Sequence, residues 1–98
     1  MDDVSLPEFI GFDWSGGNAD KNWAKHNVSP LEAEQLFFNR PIVCVVDSKH
    51  AQAEPRFYAL GQTDEGRLLF IAFTMRSKRI RVISARDMSR KEREIYLP

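Results

Sequence analysis

The sequence has 98 residues, enough for one domain and too few for two independent cores. Apolar residues make up 43% of it and aromatic residues 11%, which excludes a disordered chain. The formal net charge is zero, yet residues 1–65 carry a net −6 and residues 66–98 a net +6. The basic last third therefore forms either an anion-binding surface or a solvated face whose acidic complement lies across the fold, and charge alone leaves both open.

A single cysteine, Cys44, excludes an internal disulfide and a zinc site built from several cysteines. It lies in the apolar run of residues 42–46, which favours a buried strand residue over a nucleophile. The N-terminus lacks the apolar stretch of a signal peptide, and no segment reaches the roughly 20 apolar residues of a membrane span. We therefore expect a cytoplasmic protein without membrane contact.

The first predicted element is a strand over residues 9–14, where large apolar side chains alternate with smaller or polar ones. Residues 1–8 are expected to be a disordered leader of a single domain that spans residues 1–98. Two glycines end the strand, and residues 19–26 then suit a short helix.

A second helix is predicted from Pro30, because Ser29 and Glu32 have the spacing of a capping box and proline suits the first helical position. It should end near Asn39, since Pro41 disfavours helix in the residue before it.

Four strands follow, at residues 42–47, 56–62, 67–74 and 79–85. The segments 63–66 and 75–78 are short enough for hairpins, which predicts an antiparallel meander. A last helix begins at Asp87 or Ser89 and runs to Tyr96. The predicted fold class is α+β, with the helices on one face of the sheet and the other face free for a ligand.

The common chemical motifs are absent: a glycine-rich phosphate loop, paired cysteines, a His-Glu-x-x-His helix and a serine in a nucleophile elbow. We therefore expect neither a cofactor nor a metal site. Cations with aromatic neighbours remain, and they are Lys21, Lys25, His26, Arg56, Arg67, Arg76, Arg79, Arg81 and Arg86. Guanidinium groups bind phosphate in bidentate fashion, so such a set suits a metal-independent ribonuclease, which needs a base, an acid and charge stabilisation.

His26 and Lys25 are the candidates for proton transfer, and His50 is a weaker one because residues 48–55 read as a flexible connection. Each assignment has a structural alternative. His26 equally suits a cap on the last carbonyls of a helix. Solvated faces would account for Arg79, Arg81, Arg90, Lys91 and Arg93, and core packing would account for Trp14 and Trp23.

Five segments carry a family resemblance: Phe12-Asp13-Trp14, residues 21–29 with Lys25-His26, Arg56-Phe57-Tyr58-Ala59-Leu60-Gly61, residues 79–86 ending in Ser84-Ala85-Arg86, and a tail from Arg90 to Tyr96. In this order they resemble the BrnT family over about residues 9–96. Ser15 and Asn27 depart from the family pattern, where an acidic residue often follows the tryptophan and a glycine usually follows Lys-His.

The resemblance implies a RelE-like fold, RNA cleavage that inhibits translation and growth, and a BrnA-like ribbon-helix-helix antitoxin through which operator DNA is bound. Catalytic roles are assigned to Lys25, His26, Arg56, Arg76, Arg81 and Arg86, and RNA-binding roles to Trp14, Lys21 and Arg79. The antitoxin is expected to cover residues 67–86. One alternative is a binding module that pairs with an antitoxin or RNA without cleaving it, and another is an interaction domain whose arginines form surface ion pairs.

Arg81 and Arg86 are an odd number of residues apart, so in a regular strand their side chains point to opposite faces. Both can reach one phosphate only if the strand twists or ends before Arg86. We expect it to end there.

Overall fold

The computed structural model describes residues 3–49 and 54–97, and this part of the chain is an α+β fold, as predicted. The strands are β1 (Asp3–Val4), β2 (Gly11–Phe12), β3 (Val43–Val46), β4 (Arg56–Gln62), β5 (Leu68–Arg76) and β6 (Arg79–Asp87). The helices are α1 (Asn18–His26), α2 (Pro30–Leu36) and α3 (Arg90–Tyr96), and a 3₁₀ turn at Ser15–Gly17 precedes α1.

The sheet order is β1-β3-β4-β5-β6-β2. The four strands predicted after Pro41 form the antiparallel meander β3-β4-β5-β6. The whole sheet is not a simple antiparallel meander, however, because β2 pairs parallel with β6 and makes the sheet mixed. The predicted strand over residues 9–14 shrinks to β2, because Asp13 Oδ1 accepts a hydrogen bond from the Ser15 N–H at 2.9 Å and turns the chain away. The short strand β2 then leaves most of one edge of β6 uncovered.

The expected disordered leader at residues 1–8 is also corrected for the residues that the structure describes. Asp3 and Val4 form β1, opposite Val45 and Cys44 of β3, and Leu6 packs against the core. Backbone pairing and one apolar anchor therefore attach residues 3–6 to the sheet and the core.

The capping-box predictions are confirmed for α2 and α3. Ser29 accepts a hydrogen bond from the Glu32 N–H, and Ser89 accepts one from the Glu92 N–H, while each glutamate bonds back to the serine N–H. Both helix starts could be predicted because a capping box depends only on two residues three positions apart.

The helices cover both faces of the sheet, contrary to prediction. Ala59 of β4 packs against α2, and we call this side the inner face. Its neighbour Leu60 points to the opposite, outer face and packs with Tyr96 of α3. The Tyr96 hydroxyl donates to the Pro41 carbonyl at 2.6 Å, which fixes α3 over one end of the outer face.

Helix α1 lies along the edge of β6. Asn18 donates from Nδ2 to the Val82 carbonyl at 2.8 Å, and Asn22 Oδ1 accepts from the Ala85 N–H at 3.0 Å. Two asparagine side chains thus provide the partners that another strand would give to this edge. The arrangement sets α1 beside the arginines of β6.

Candidate active site

The C-terminal end of α1 and the end of β6 form an open groove of about 500 Å³, here called the α1-end groove. Its lining consists of Trp23, Ala24, Lys25, His26, Asn27, Arg86 and Asp87. The two residues predicted for proton transfer and one predicted phosphate-binding arginine thus meet in one place. They come from segments about sixty positions apart in the sequence.

Arg86 is held firmly at this groove. Its Nη1 and Nη2 donate to the two carboxylate oxygens of Glu92 at 2.8 and 2.9 Å, and its guanidinium carbon lies 4.1 Å from the ring centroid of Phe70. The hydrogen bond with Glu92 raises the pKa of Arg86, so the group stays charged. Among the described residues no hydrogen bond engages Nε, which leaves one edge of the guanidinium for an incoming oxyanion.

Asp87 supplies the acidic group of the α1-end groove. Arg67 Nε donates to Asp87 Oδ1 at 2.7 Å, and this hydrogen bond lowers the pKa of the carboxyl, with a smaller contribution from the charge of His26. Asp87 is therefore ionised at neutral pH beside the histidine.

A second groove, of about 470 Å³, lies at the hairpin between β5 and β6 and is called the hairpin groove. Phe12, Asp13, Trp14, Arg76, Ser77 and Arg79 line it. Trp14 is half-buried and packs against the core, and its indole N–H donates to Glu34 at 2.8 Å. Trp14 is thus a core anchor, as the structural alternative stated, and it also borders a groove with two arginines.

Arg81 is largely enclosed, with 15% of its side chain exposed. Its Nη1 donates to the carbonyl and hydroxyl oxygens of Ser15 at 2.8 and 2.7 Å and lies 3.6 Å from Asp13 Oδ1. Gly16 has φ +83°, and a Cβ there would lie 2.6 Å from Arg81 Nη2. Arg81 therefore holds the 3₁₀ turn in front of α1.

Arg56 and Arg76 each form an ion pair within the chain. Arg56 Nε lies 3.3 Å from Asp47, whereas Arg76 makes two hydrogen bonds to Glu54 at 2.9 and 3.1 Å. The bond from Arg76 lowers the pKa of Glu54. Glu54, from the acidic first part of the chain, thus neutralises one arginine of the basic last third, whereas Arg56 and Asp47 both lie in the first part.

Six of the nine predicted site residues divide between two grooves, whereas Lys21, Arg56 and Arg81 line neither of them. Lys25, His26 and Arg86 meet in the α1-end groove, and Trp14, Arg76 and Arg79 meet in the hairpin groove. Lys21 is exposed on α1, one turn before Lys25. His50 lies outside the described residues.

The expectation that the last strand ends before Arg86 was wrong, since β6 continues to Asp87. Arg81 pairs with Thr74 and Arg86 with Phe70, four residues apart on β5, which is about 13 Å along the strand. The two arginines belong to different parts of the surface. Sequence reasoning also passed over Glu92 and Glu54 as partners, because nothing local connects them to Arg86 and Arg76.

Within residues 3–49 and 54–97, no group of three histidine, cysteine or acidic side chains is arranged to hold a metal ion. The same residues contain no helix with the length and apolar character needed to cross a membrane.

The model of one protein family, described as "Ribonuclease toxin, BrnT, of type II toxin-antitoxin system", matches residues 14–92. The chain belongs to this family. A BrnT toxin is a ribonuclease of a type II toxin–antitoxin system, so RNA is its substrate and an antitoxin its partner. The match includes all nine residues predicted for the site. No curated protein gives a significant match to the chain.

Proposed function

We propose that this BrnT protein is an endoribonuclease that cleaves RNA without a metal ion, and that the α1-end groove is its catalytic centre. The observation that carries this proposal is the presence of Lys25, His26 and Arg86 in one groove. Proton transfer to and from the reacting oxygens and charge stabilisation at phosphorus are the contributions that metal-free cleavage requires.

In the proposed reaction the 2′-oxygen of a ribose attacks the adjacent phosphorus. The 2′-oxygen to phosphorus bond forms and the phosphorus to 5′-oxygen bond breaks, which leaves a 2′,3′-cyclic phosphate and a free 5′-hydroxyl. One of Lys25 and His26 accepts the proton of the 2′-hydroxyl, and the other donates a proton to the leaving oxygen. Arg86 binds the non-bridging oxygens through the edge that Glu92 does not occupy.

The hairpin groove is proposed to bind a neighbouring part of the RNA strand. Arg79 is exposed there, and Arg76 borders the groove although Glu54 occupies one edge of its guanidinium. Lys21 is exposed on α1. Arg79 and Arg86 lie opposite Arg76 and Phe70 of β5, six residues apart, so a strand bound along β6 would contact cations at both ends of a path of about 20 Å.

The partner is proposed to be a ribbon-helix-helix antitoxin that covers residues 67–86 of the toxin and binds operator DNA. The exposed Lys78 and Arg79 support the position of the antitoxin, because an acidic neutraliser would gain charge complementarity there and block phosphate access. Its ribbon-helix-helix fold and the operator DNA rest on the family resemblance. A RelE-like fold, a cytoplasmic location and translation arrest are further parts of the proposal, and they rest on the family resemblance.

The test is cleavage of a single-stranded RNA by the purified chain in excess EDTA, with products analysed for 2′,3′-cyclic phosphate. We expect cleavage without added metal and a loss on the order of 100-fold or more in His26→Gln and Lys25→Met. Lys91→Met is the matched control, since Lys91 is exposed on α3 and lines neither groove. Activity that requires one particular metal, or full activity in both groove variants, would refute the proposal.

A further inference from the structure

Arg67, directly before β5, binds groups from three elements. Its Nε and Nη2 donate to the two carboxylate oxygens of Asp87 at 2.7 and 3.2 Å. Nη1 donates to the Asn27 carbonyl at 2.9 Å and to Glu32 Oε2 at 3.1 Å, and Nη2 also donates to the His26 carbonyl at 3.3 Å. One side chain thus joins the end of α1, the start of α2 and the end of β6.

The carbonyls at the end of α1 are acceptors that Arg67 can bind. The last carbonyls of a helix accept no hydrogen bond from within the helix, and a cation beside them interacts favourably with the helix dipole. Asn27 follows α1 with φ 56°, so the chain turns sharply after His26. Asn27 ends the helix, and its N–H donates to the Trp23 carbonyl at 3.0 Å. By binding the carbonyls of His26 and Asn27, Arg67 holds this end of α1 and the groove residues next to it.

The opposite wall of the groove depends on the same guanidinium. Asp87 is the residue after Arg86 on β6, and Arg67 binds both of its carboxylate oxygens. Arg67 therefore binds both walls of the α1-end groove, the end of α1 and the end of β6. The five hydrogen bonds match the five N–H groups of an arginine, so no donor remains for RNA.

We propose that Arg67 is a positioning residue for RNA cleavage, which holds Lys25 and His26 at a set distance from Arg86 without touching the RNA. This inference rests on the proposed function, in which the α1-end groove is catalytic. A lysine would keep the charge but could not reproduce the planar fork, because its donors sit on one atom.

The experiment compares Arg67→Ala and Arg67→Lys with the unaltered chain in RNA cleavage under EDTA. A small displacement of reacting groups costs about 100-fold in rate, so we expect kcat to fall by about that factor in Arg67→Ala, with a smaller loss in Arg67→Lys. The KM for RNA should stay unchanged, since a positioning residue acts on the reaction and not on uniform binding. Arg90→Ala and Arg90→Lys are the matched controls, because 90% of the Arg90 side chain is exposed.

A destabilised chain without a defect in the groove is the second control. Asn39→Ala removes hydrogen bonds to the Gln62 carbonyl and to Asp64, and it should lower thermal stability while kcat is kept. If Arg67→Ala does not fold, Arg67→Lys decides the question.

Wild-type kcat in folded Arg67→Lys, or a raised KM with kcat unchanged, would overturn the inference. Full activity in His26→Gln and Lys25→Met would instead contradict the proposed function. The two failures are therefore distinguishable.

Discussion

Arg81 and Arg86 project from the same face of β6 although they are five positions apart, because a β-bulge at Ile83 shifts the alternation. The register shows the bulge: Ala72 pairs with Ser84, and the next residue of β5 pairs with Val82. The shared face does not give a shared role, since Arg81 is engaged by Ser15 whereas Arg86 borders an open groove.

The first prediction separates these two arginines. Arg86→Ala should lower the cleavage rate on the order of 100-fold or more, because it removes charge stabilisation at phosphorus. It should lower the free energy of unfolding by about 1 kcal/mol through loss of its partly exposed pair with Glu92. Arg81→Ala should cost about 1.5 to 3 kcal/mol, since enclosed charged hydrogen bonds to Ser15 are lost, and it should have the smaller kinetic effect. RNA cleavage and urea unfolding measure the two quantities, and the reverse ranking in either assay would contradict the assignment.

The second prediction concerns the edge of β6. Asn22 is 3% exposed, and its Oδ1 accepts from the Ala85 N–H. In Asn22→Ala this buried N–H loses its partner, so the free energy of unfolding should fall by about 1 to 3 kcal/mol. Urea unfolding gives the value. Asp20→Ala, at an exposed position of the same helix, is the control and should change little.

A third prediction follows from the carboxylates bound by Arg67. Burial opposes ionisation of Glu32, but hydrogen bonds from Ser29 and Arg67 outweigh it and set its pKa below the ordinary 4.5. The hydrogen bond from Arg67 likewise sets the pKa of Asp87 below 3.8. Both groups bind fewer protons in the folded than in the unfolded chain, so their stabilisation is complete above about pH 4.5 and is lost as the pH falls through the lowered values.

Urea unfolding between pH 7 and the acid limit of folding measures this dependence. Glu32→Gln should flatten it, because a group that does not titrate replaces one that does. An identical slope in the variant would show that Glu32 contributes nothing to acid stability.

The fourth prediction addresses the turn between β5 and β6. Ser77 and Lys78 both have positive φ, 50° and 63°, in a two-residue hairpin turn that favours glycine at its second position. Lys78→Gly should raise the free energy of unfolding by up to about 1 kcal/mol, because the left-handed conformation costs a residue with a Cβ about that much. Lys78→Ala removes the same charge but keeps the Cβ, so it should bring no such gain in a thermal melt.

Elements specified by local signals could be predicted from the sequence. The bounds of β4 agree with prediction, and both capping boxes form, because turn residues and capping spacing act within a few positions. The placement of α3 was missed although a signal existed. Tyr58, Leu60, Leu68 and Phe70 give β4 and β5 apolar side chains on the outer face as well, which is typical of strands covered on both sides.

The site was predictable only as a set of residue types. Arg67 binds the His26 carbonyl across 41 positions, and Arg81 binds Ser15 across 66, and neither contact leaves a trace in local spacing. The bulge at Ile83 left only one local sign, the adjacent apolar pair Val82-Ile83, in a strand that until then alternates arginine with apolar residues. The tertiary structure was therefore needed to identify which cations share a groove.

The hydrogen bonds from Asn18 and Asn22 to the edge of β6 have a consequence for synthesis of the protein. A ribosome synthesises α1 long before β6, and until β6 emerges Asn18 and Asn22 have no backbone groups to bind. Before β6 is made, Lys25 and His26 belong to an isolated segment of nine residues, which is too short to form a stable helix in water. The groove that we propose as catalytic needs Arg86 and Asp87 of β6, so it cannot form on the nascent chain until β6 has been synthesised.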